Sequence, residues 1–276
     1  MNAMASAAFV GLARMDSVSV ANRGLAYGDG VFETMRVHDG ELPLWPGHLA
    51  RLREGAQRLG IGLPDPAFIE ACIDEMIDGA DAGVIKLLLT RGDGGRGYAP
   101  PVDAQPAWTL ALYPLPPITS GGLCLHACDT RLAIQPALAG IKHCNRLEQV
   151  LARAEAERAG CDEGLMRDSE GRVVCATAAN LLAHRNGRWL TPPVARCGVA
   201  GVLRGWLLAQ GLVEEAELAP GEVEDAAALA LCNAVRGILP VSLLGARKWA
   251  AHPALTELQA RLAMAYPMFS NPAVGA

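Results

Sequence analysis

The stretch PLPPITSGG, residues 114–122, constrains this chain more than any other. Proline fixes φ and lacks a backbone donor, and glycine loses the most freedom on ordering. No helix or strand is expected to run through such a stretch. The sequence on either side mixes helical and strand periodicities. The chain therefore reads as two mixed α/β units, residues 1–115 and 123–276, joined by a linker over 116–122. Its 276 residues suffice for two domains, and 51% apolar content is enough for a sizeable core.

In the first unit, residues 17–45 alternate apolar and polar around a turn at HDGE and predict strands. Residues 46–62 space Leu49, Leu52, Ala56 and Leu59 helically, with Pro46 near the start and Gly60 at the end. A second helix is expected over 65–79, with Phe68, Cys72 and Met76 on one face. Strands follow over 84–92 and 108–115, with a glycine-rich loop between them. In the second unit LCLHACDTRLA predicts a strand. A helix over about 145–159 carries Leu147, Val150, Leu151 and Ala154 on one face. Strands near 163–167, 172–176 and 179–184 are joined by hairpin turns at DSEG and RNG. A helix over 200–210, a strand over 228–235 and a short helix near the end complete the pattern, and the tail from Pro267 reads as irregular.

Net charge of -5 argues against a nucleic-acid groove or an anionic membrane surface as partner. No run approaches the ~18 apolar residues of a membrane span. The start MNAMASAAFVGLARMDS lacks a basic leading region and makes a poor signal peptide, so a cytoplasmic location is expected. Among eight cysteines, Cys124 and Cys128 alternate with His126 in CLHAC, which on a strand places all three on one face. No second ligand pair follows at zinc spacing, so reduced, mostly buried thiols are expected and no metal.

The basic residues hold the chemical clue. Of 24, only Lys86, Lys142 and Lys248 are lysines. Lysine, unlike arginine, can shed its proton and attack a carbonyl. Lys142 stands in GIKHCNRLEQ, after a small-residue bend and just before a helix, where a reactive group can be exposed; a solvated surface lysine is the plain alternative. Lys86 lies in VIKLLL and reads as a strand residue facing solvent or a partner, and Lys248 stands in a polar stretch. RCGVAGVLRGWLL enters a helix at Val199 and Ala200, whose amides would suit a phosphate. Asn233, at the end of a buried strand, either caps a turn or binds a ligand. The loop TRGDGGRGYAPP sets Arg91, Arg96 and Tyr98 among glycines, which suits carboxylate capture as well as it suits a plain surface loop. Gly28 and Gly30 mark a tight bend, Thr34 and Arg36 share a face of the strand after it, and Arg51 lies on a helix where an ordinary exposed arginine is also plausible.

Taken in order, NRGLAYGDGVFETMRV, HLARL, TRGDGGRGY, IKHCNRLEQ, AANLL, GVAGVLR and LCNAV resemble the fold type IV pyridoxal-phosphate enzymes over about residues 16–243. That family holds branched-chain and D-amino-acid aminotransferases and the aminodeoxychorismate lyases. TRG with GGRGY, and lysine followed by NRLEQ, are the lyase-like forms. The resemblance implies a smaller N-terminal and a larger C-terminal α/β domain with pyridoxal 5'-phosphate between them. It also implies a homodimer whose partner helps close the site. By position, Lys142 is similar to the cofactor lysine. Arg51, Val199, Ala200, Asn233 and Ala234 are similar to phosphate contacts. Thr34, Arg36, Arg96, Tyr98 and Arg146 fall where the family faces its substrate. The implied reaction splits 4-amino-4-deoxychorismate into 4-aminobenzoate and pyruvate, a step towards folate. The alternatives are a D- or branched-chain aminotransferase and a cofactor-binding protein without efficient catalysis. In one place the chain departs: where the family pairs a glutamate with the ring nitrogen, counting back from Asn180 gives Cys175.

Overall fold

The computed structural model describes residues 2–117 and 121–270. It divides the chain into two compact units. The first is residues 1–116 together with Ile141–Asn145, and the second is Pro117–Gly140 with Arg146–Ala276. Part of the expected linker, residues 118–120, and the end of the tail, 271–276, lie outside the described residues. Five residues near the middle of the sequence thus belong to the first unit, and Lys142 is one of them.

The first unit holds strands β1 (Ala5–Val10) and β2 (Ala13–Met15), helix α1 (Arg23–Tyr27), strand β3 (Gly30–His38), helices α2 (Trp45–Leu59) and α3 (Pro66–Ile77), and strands β4 (Ala82–Thr90) and β5 (Ala107–Tyr113). The strands form one antiparallel sheet in the order β2-β1-β5-β4-β3. Period-two alternation buries Val31, Glu33, Met35 and Val37 of β3 and turns Phe32, Thr34 and Arg36 to the other face. Helix α2 ends where Gly60 enters the left-handed region and its amide returns to the Ala56 and Gln57 carbonyls, the stop that glycine makes cheap.

Three expectations change in this unit. Part of the stretch expected as strands is the short helix α1, nucleated by Asn22, whose side chain accepts the Gly24 amide. β1 and β2, rich in alanine, gave no strand signal. In α3 the fully buried stripe is Ile69, Ile73 and Ile77, one position on from Phe68, Cys72 and Met76, which are only partly buried.

The second unit holds β6 (Leu123–Leu132), α4 (Leu147–Arg158), β7 (Glu163–Asp168), β8 (Val173–Ala176), β9 (Asn180–Arg185), β10 (Arg188–Thr191), α5 (Val202–Ala209), β11 (Glu214–Glu215), α6 (Pro220–Glu224), β12 (Ala228–Asn233), β13 (Gly237–Leu244), β14 (Arg247–Lys248) and α7 (Pro253–Ala265). Pro267–Phe269, expected as irregular, form a 3-10 turn. Strands β9, β12, β13, β6, β7 and β8 pair in that order, and β8 pairs back to β9 at Cys175 and Asn180, closing the path. The closing contact of β8 with β9 is a single residue pair. The RNG turn joins β9 to β10 with Asn186 and Gly187 both at positive φ, as a two-residue hairpin of the favoured twist requires.

Two corrections here concern packing. Helix α4 buries Ala152 and Ala156, while Leu147, Val150 and Leu151 are 77%, 59% and 58% exposed. The small residues let the helix lie close to β6 and β7, where the Cys128 thiol reaches the Ala152 carbonyl, and so the leucine stripe faces outward. In β6 the register shifts between Ala127 and Arg131, and the burial alternation has already slipped by one residue. Cys128 is buried against Ala152 of α4, in a cluster apart from Leu123 and Leu125, while Cys124 and His126 are only partly buried. Cys124 is paired with Cys161 as a disulfide, Cα atoms 4.9 Å apart, contrary to the expectation of reduced thiols. No helix among the described residues is long and apolar enough to cross a membrane.

Candidate functional site

Lys142 owes its place to backbone pairing. The Phe32 amide donates to the Lys142 carbonyl at 2.9 Å, the Cys144 amide donates to Gly30 at 2.9 Å, and Val31 bridges antiparallel to His143. Residues 142–144 thus run along the edge of β3 that β4 leaves open. Asn145 secures the end of this excursion by donating from Nδ2 to the Gly28 carbonyl at 3.1 Å. A Cβ at Gly28 would stand 2.7 Å from Asn145 Oδ1, and φ there is +64°, so only glycine suits the position.

The Lys142 ammonium lies 4.4 Å from the Phe32 ring centroid. Lys86 reaches the same ring at 5.3 Å and sits directly opposite Thr34 in the β3–β4 register. Thr34, Arg36 and Lys86 therefore share one sheet face with the ring that Lys142 covers. Sequence reading treated Lys86 as an ordinary strand residue; its parity with Thr34 becomes visible only once the register is known.

Behind Lys142 lies a buried ionic group. Glu33 of β3 and His48 of α2 are each 1% exposed, and His48 Nδ1 is 2.6 Å from a Glu33 carboxylate oxygen. Arg51, one helical turn from His48, donates Nε to Glu33 at 2.8 Å and a second N–H to its other oxygen, a bidentate pair. Burial alone would raise the Glu33 carboxyl, but the Arg51 charge and the hydrogen bonds from Arg51 and His48 outweigh it and hold the group at about 2. Burial lowers the His48 imidazole below its ordinary value. Glu33 pulls it back, while the positive charges of Arg51 and Lys142 push further down. The structure thus brings Lys142, Arg51, His48 and Glu33 together in the first unit. Arg51, which the sequence left as a possible surface residue, is a part-buried partner of Glu33.

Arg96 and Tyr98 are exposed on the loop between β4 and β5. That loop is tied rather than free. Arg23 grips the carbonyls of Gly97 and Tyr98 at 3.0 Å each. The Tyr27 hydroxyl accepts the Gly97 amide at 2.9 Å.

In the second unit, Arg146 immediately precedes α4, and its charge acts on the thiol of Cys175. Cys175 is 6% exposed on β8, and burial pushes its thiol up to about 12, so it is neutral. The Ala200 amide donates to the Gly140 carbonyl at 2.9 Å, and helix α5 begins at Val202. Gly201, the N-cap, brings no side chain to that helix start. For Asn233, open in the sequence, the structure shows a cap: its Oδ1 accepts from Val235 at 3.0 Å and Arg236 at 2.8 Å, and Nδ2 donates to Ala178 at 3.3 Å. Ala234 beside it is buried.

Residues 30–244 match the family described as Amino-transferase class IV. The chain belongs to the class IV aminotransferase family. Within it, the aminodeoxychorismate lyase of Vibrio harveyi is 34% identical over 239 residues, covering 83% of this chain and 88% of that protein. The crystal structure of 4-amino-4-deoxychorismate lyase from Pseudomonas aeruginosa is 43% identical with a TM-score of 0.86, covering 93% of this chain and 98% of that one. The branched-chain amino acid aminotransferase of Escherichia coli, 20% identical with a TM-score of 0.80, shares the fold. Enzymes of this family work with pyridoxal 5'-phosphate, and that is the cofactor of this chain. The first unit offers an amine at Lys142 and an arginine at Arg51, and the second, taken by itself, an uncapped helix start of the kind that suits a phosphate. Cys175 is a buried, neutral thiol.

Proposed function

We propose that this chain is an aminodeoxychorismate lyase that converts 4-amino-4-deoxychorismate into 4-aminobenzoate and pyruvate, a step towards folate. The observation that carries the reading is the setting of Lys142. Its amine stands at the edge of a sheet face bearing Thr34, Arg36 and Lys86, which suits a substrate with two carboxylates. The likeness to two proteins named as this lyase, over most of the chain, supports the same reading.

Pyridoxal 5'-phosphate, when bound, supplies an aldehyde that holds the substrate amine and a ring that draws electrons from the neighbouring carbon. Lys142 would hold the cofactor through its amine and, once freed by the substrate, would take the proton from the substrate carbon that bears the amino group. Arg36, Arg96 and Lys86 hold the carboxylates, with Thr34, Tyr98 and Arg146 facing the substrate. Arg51, paired with Glu33, the backbone at Val199 and Ala200, and Asn233 with Ala234 would hold the cofactor phosphate. Cys175 would face the ring nitrogen and, being neutral, would leave the cofactor a weaker electron sink. A transaminase depends on that sink. The lyase reaction depends on it less, because the departing enolpyruvyl group takes electrons with it and the product ring is aromatic.

We further propose that the enzyme comprises two domains and acts as a cytoplasmic homodimer. The outward stripe of Leu147, Val150 and Leu151 supports the dimer, since exposed leucines at helical spacing gain most by burial against a second copy. The test is to supply the purified protein, loaded with cofactor, with 4-amino-4-deoxychorismate and no keto acid. Release of pyruvate and 4-aminobenzoate is expected. Amino-group transfer that needs a keto-acid acceptor would identify an aminotransferase instead.

A further inference from the structure

Arg23 is nearly inaccessible, 4% exposed, yet its guanidinium is directed at a loop. Its Nε donates to Asp29 at 2.8 Å. One terminal nitrogen donates to the Gly97 carbonyl at 3.0 Å and the Ala99 carbonyl at 3.4 Å, and the other to the Tyr98 carbonyl at 3.0 Å. Three successive carbonyls are held by one planar group, and they follow directly after Arg96. The Arg23 amide donates to Gly92 at 2.8 Å, and the Gly94 amide to Ala21 at 3.1 Å, so the near end of the loop is fixed as well. A Cβ at Gly94 would stand 2.7 Å from Arg23 Cδ, which shows how closely the loop lies on this side chain. Tyr27, whose ring is 4.9 Å from the Arg23 guanidinium, accepts the Gly97 amide and meets Tyr98 edge-on at 5.5 Å.

Asp29 extends the hold. It also accepts from Arg91, whose remaining donors take the Leu59 and Gly60 carbonyls at the end of α2. The loop and the helix that bears Arg51 are thus braced against one carboxylate. Arg96 itself has no hydrogen bond or ion pair among the described residues. Its position is set by the backbone around it. A segment with Gly92, Gly94, Gly95 and Gly97 has wide backbone freedom unless something removes it.

We propose that Arg23 is a positioning residue: it holds the 94–99 loop in one shape and so presents Arg96 to a substrate carboxylate. This rests on the reading of Arg96 as a substrate-binding group. The pre-formed loop spares the substrate the ordering of a glycine-rich segment on binding, which appears as affinity.

The experiment is Arg23→Lys in the full, cofactor-loaded enzyme, with Tyr27→Phe as a milder second variant. Lysine keeps a charge beside Asp29 but cannot span three carbonyls. Arg23→Lys is expected to raise KM for 4-amino-4-deoxychorismate at least about tenfold with kcat within about threefold and cofactor content unchanged. Tryptic cleavage after Arg96 and amide exchange at residues 95–99 should both quicken by about tenfold or more. Tyr27→Phe should move the same readouts in the same direction by less, and it carries the test if Arg23→Lys does not fold. An unchanged loop in both variants overturns the proposal. So does a loosened loop with an unchanged KM, or a joint loss of cofactor, kcat and fold in both. Should the wild type release no pyruvate, the lyase reading falls on its own, and the cleavage and exchange rates still decide whether Arg23 holds the loop.

Discussion

Removing the charge of Glu33 is the perturbation whose size the structure fixes best. The carboxyl is buried, and the Arg51 pair and the His48 hydrogen bond hold it at about 2 instead of 4.5. Each tenfold change in acidity is worth about 1.4 kcal/mol, so the ionised group contributes about 3 kcal/mol to the first unit. The folded value lies below the unfolded one. The contribution is therefore complete above pH 4.5 and is lost as pH falls from 4.5 towards 2. His48, also depressed by burial, adds acid sensitivity in the same direction, beginning below about 6.5. Glu33→Gln keeps the shape but leaves Arg51 without its counter-charge, a loss on the order of 3 kcal/mol. Hydrogen exchange of the Val31, Met35 and Val37 amides at pH 7 reads this locally, and an acceleration of about 100-fold is expected. Wild-type exchange, corrected for its intrinsic pH dependence, should approach the variant's as pH falls towards 2. An acceleration of less than threefold would refute the reasoning, because Glu33 would then not be the ionised keystone of α2 and β3.

Arg96→Ala should weaken substrate binding by tens- to several-hundred-fold, about 2–4 kcal/mol, in a KM measurement, with cofactor affinity unchanged; the reverse pattern would remove Arg96 from the substrate side. Cys175→Ala should change lyase turnover little, and Cys175→Glu should keep it within about tenfold, ~1.4 kcal/mol of barrier, while raising any transaminase side activity. Loss of lyase turnover in a folded, cofactor-loaded Cys175→Ala protein would make the thiol essential. Leu151→Glu should weaken self-association by about 100-fold or more, read as a fall in mass by light scattering. An unchanged mass would show that the α4 stripe is not the subunit contact.

Much of this was legible in local sequence, and the residues that were not share a cause. Pro46 and Gly60 bounded α2 to within a few residues because a helix's ends are set by its own chain. Lys142 stood out because its chemistry is unlike arginine's. What escaped depended on partners far along the chain. The leucine face of α4 was assigned by period alone, and period does not say that two alanines would seat the helix on the sheet. The partner of the Ala200 amide, Gly140, stands sixty residues earlier in the sequence and could not be read locally. Glu33 and His48 read as strand and helix residues until register and packing set them against Arg51. Cys124 and Cys161, separated by 37 residues, gave no sign of pairing. The resemblance to a family located Arg51 and Lys142 where periodicity could not. It did not foresee that residues 141–145 would pack as part of the first unit.

The account turns on Lys142 as the amine that carries the cofactor. The direct test is borohydride reduction of the cofactor-loaded enzyme followed by peptide mapping. Lys86 makes the test sharp, since its ammonium reaches the same Phe32 ring. The account predicts a pyridoxyl label on Lys142 alone, and none in a folded Lys142→Ala protein. A label on Lys86 or Lys248 would contradict it.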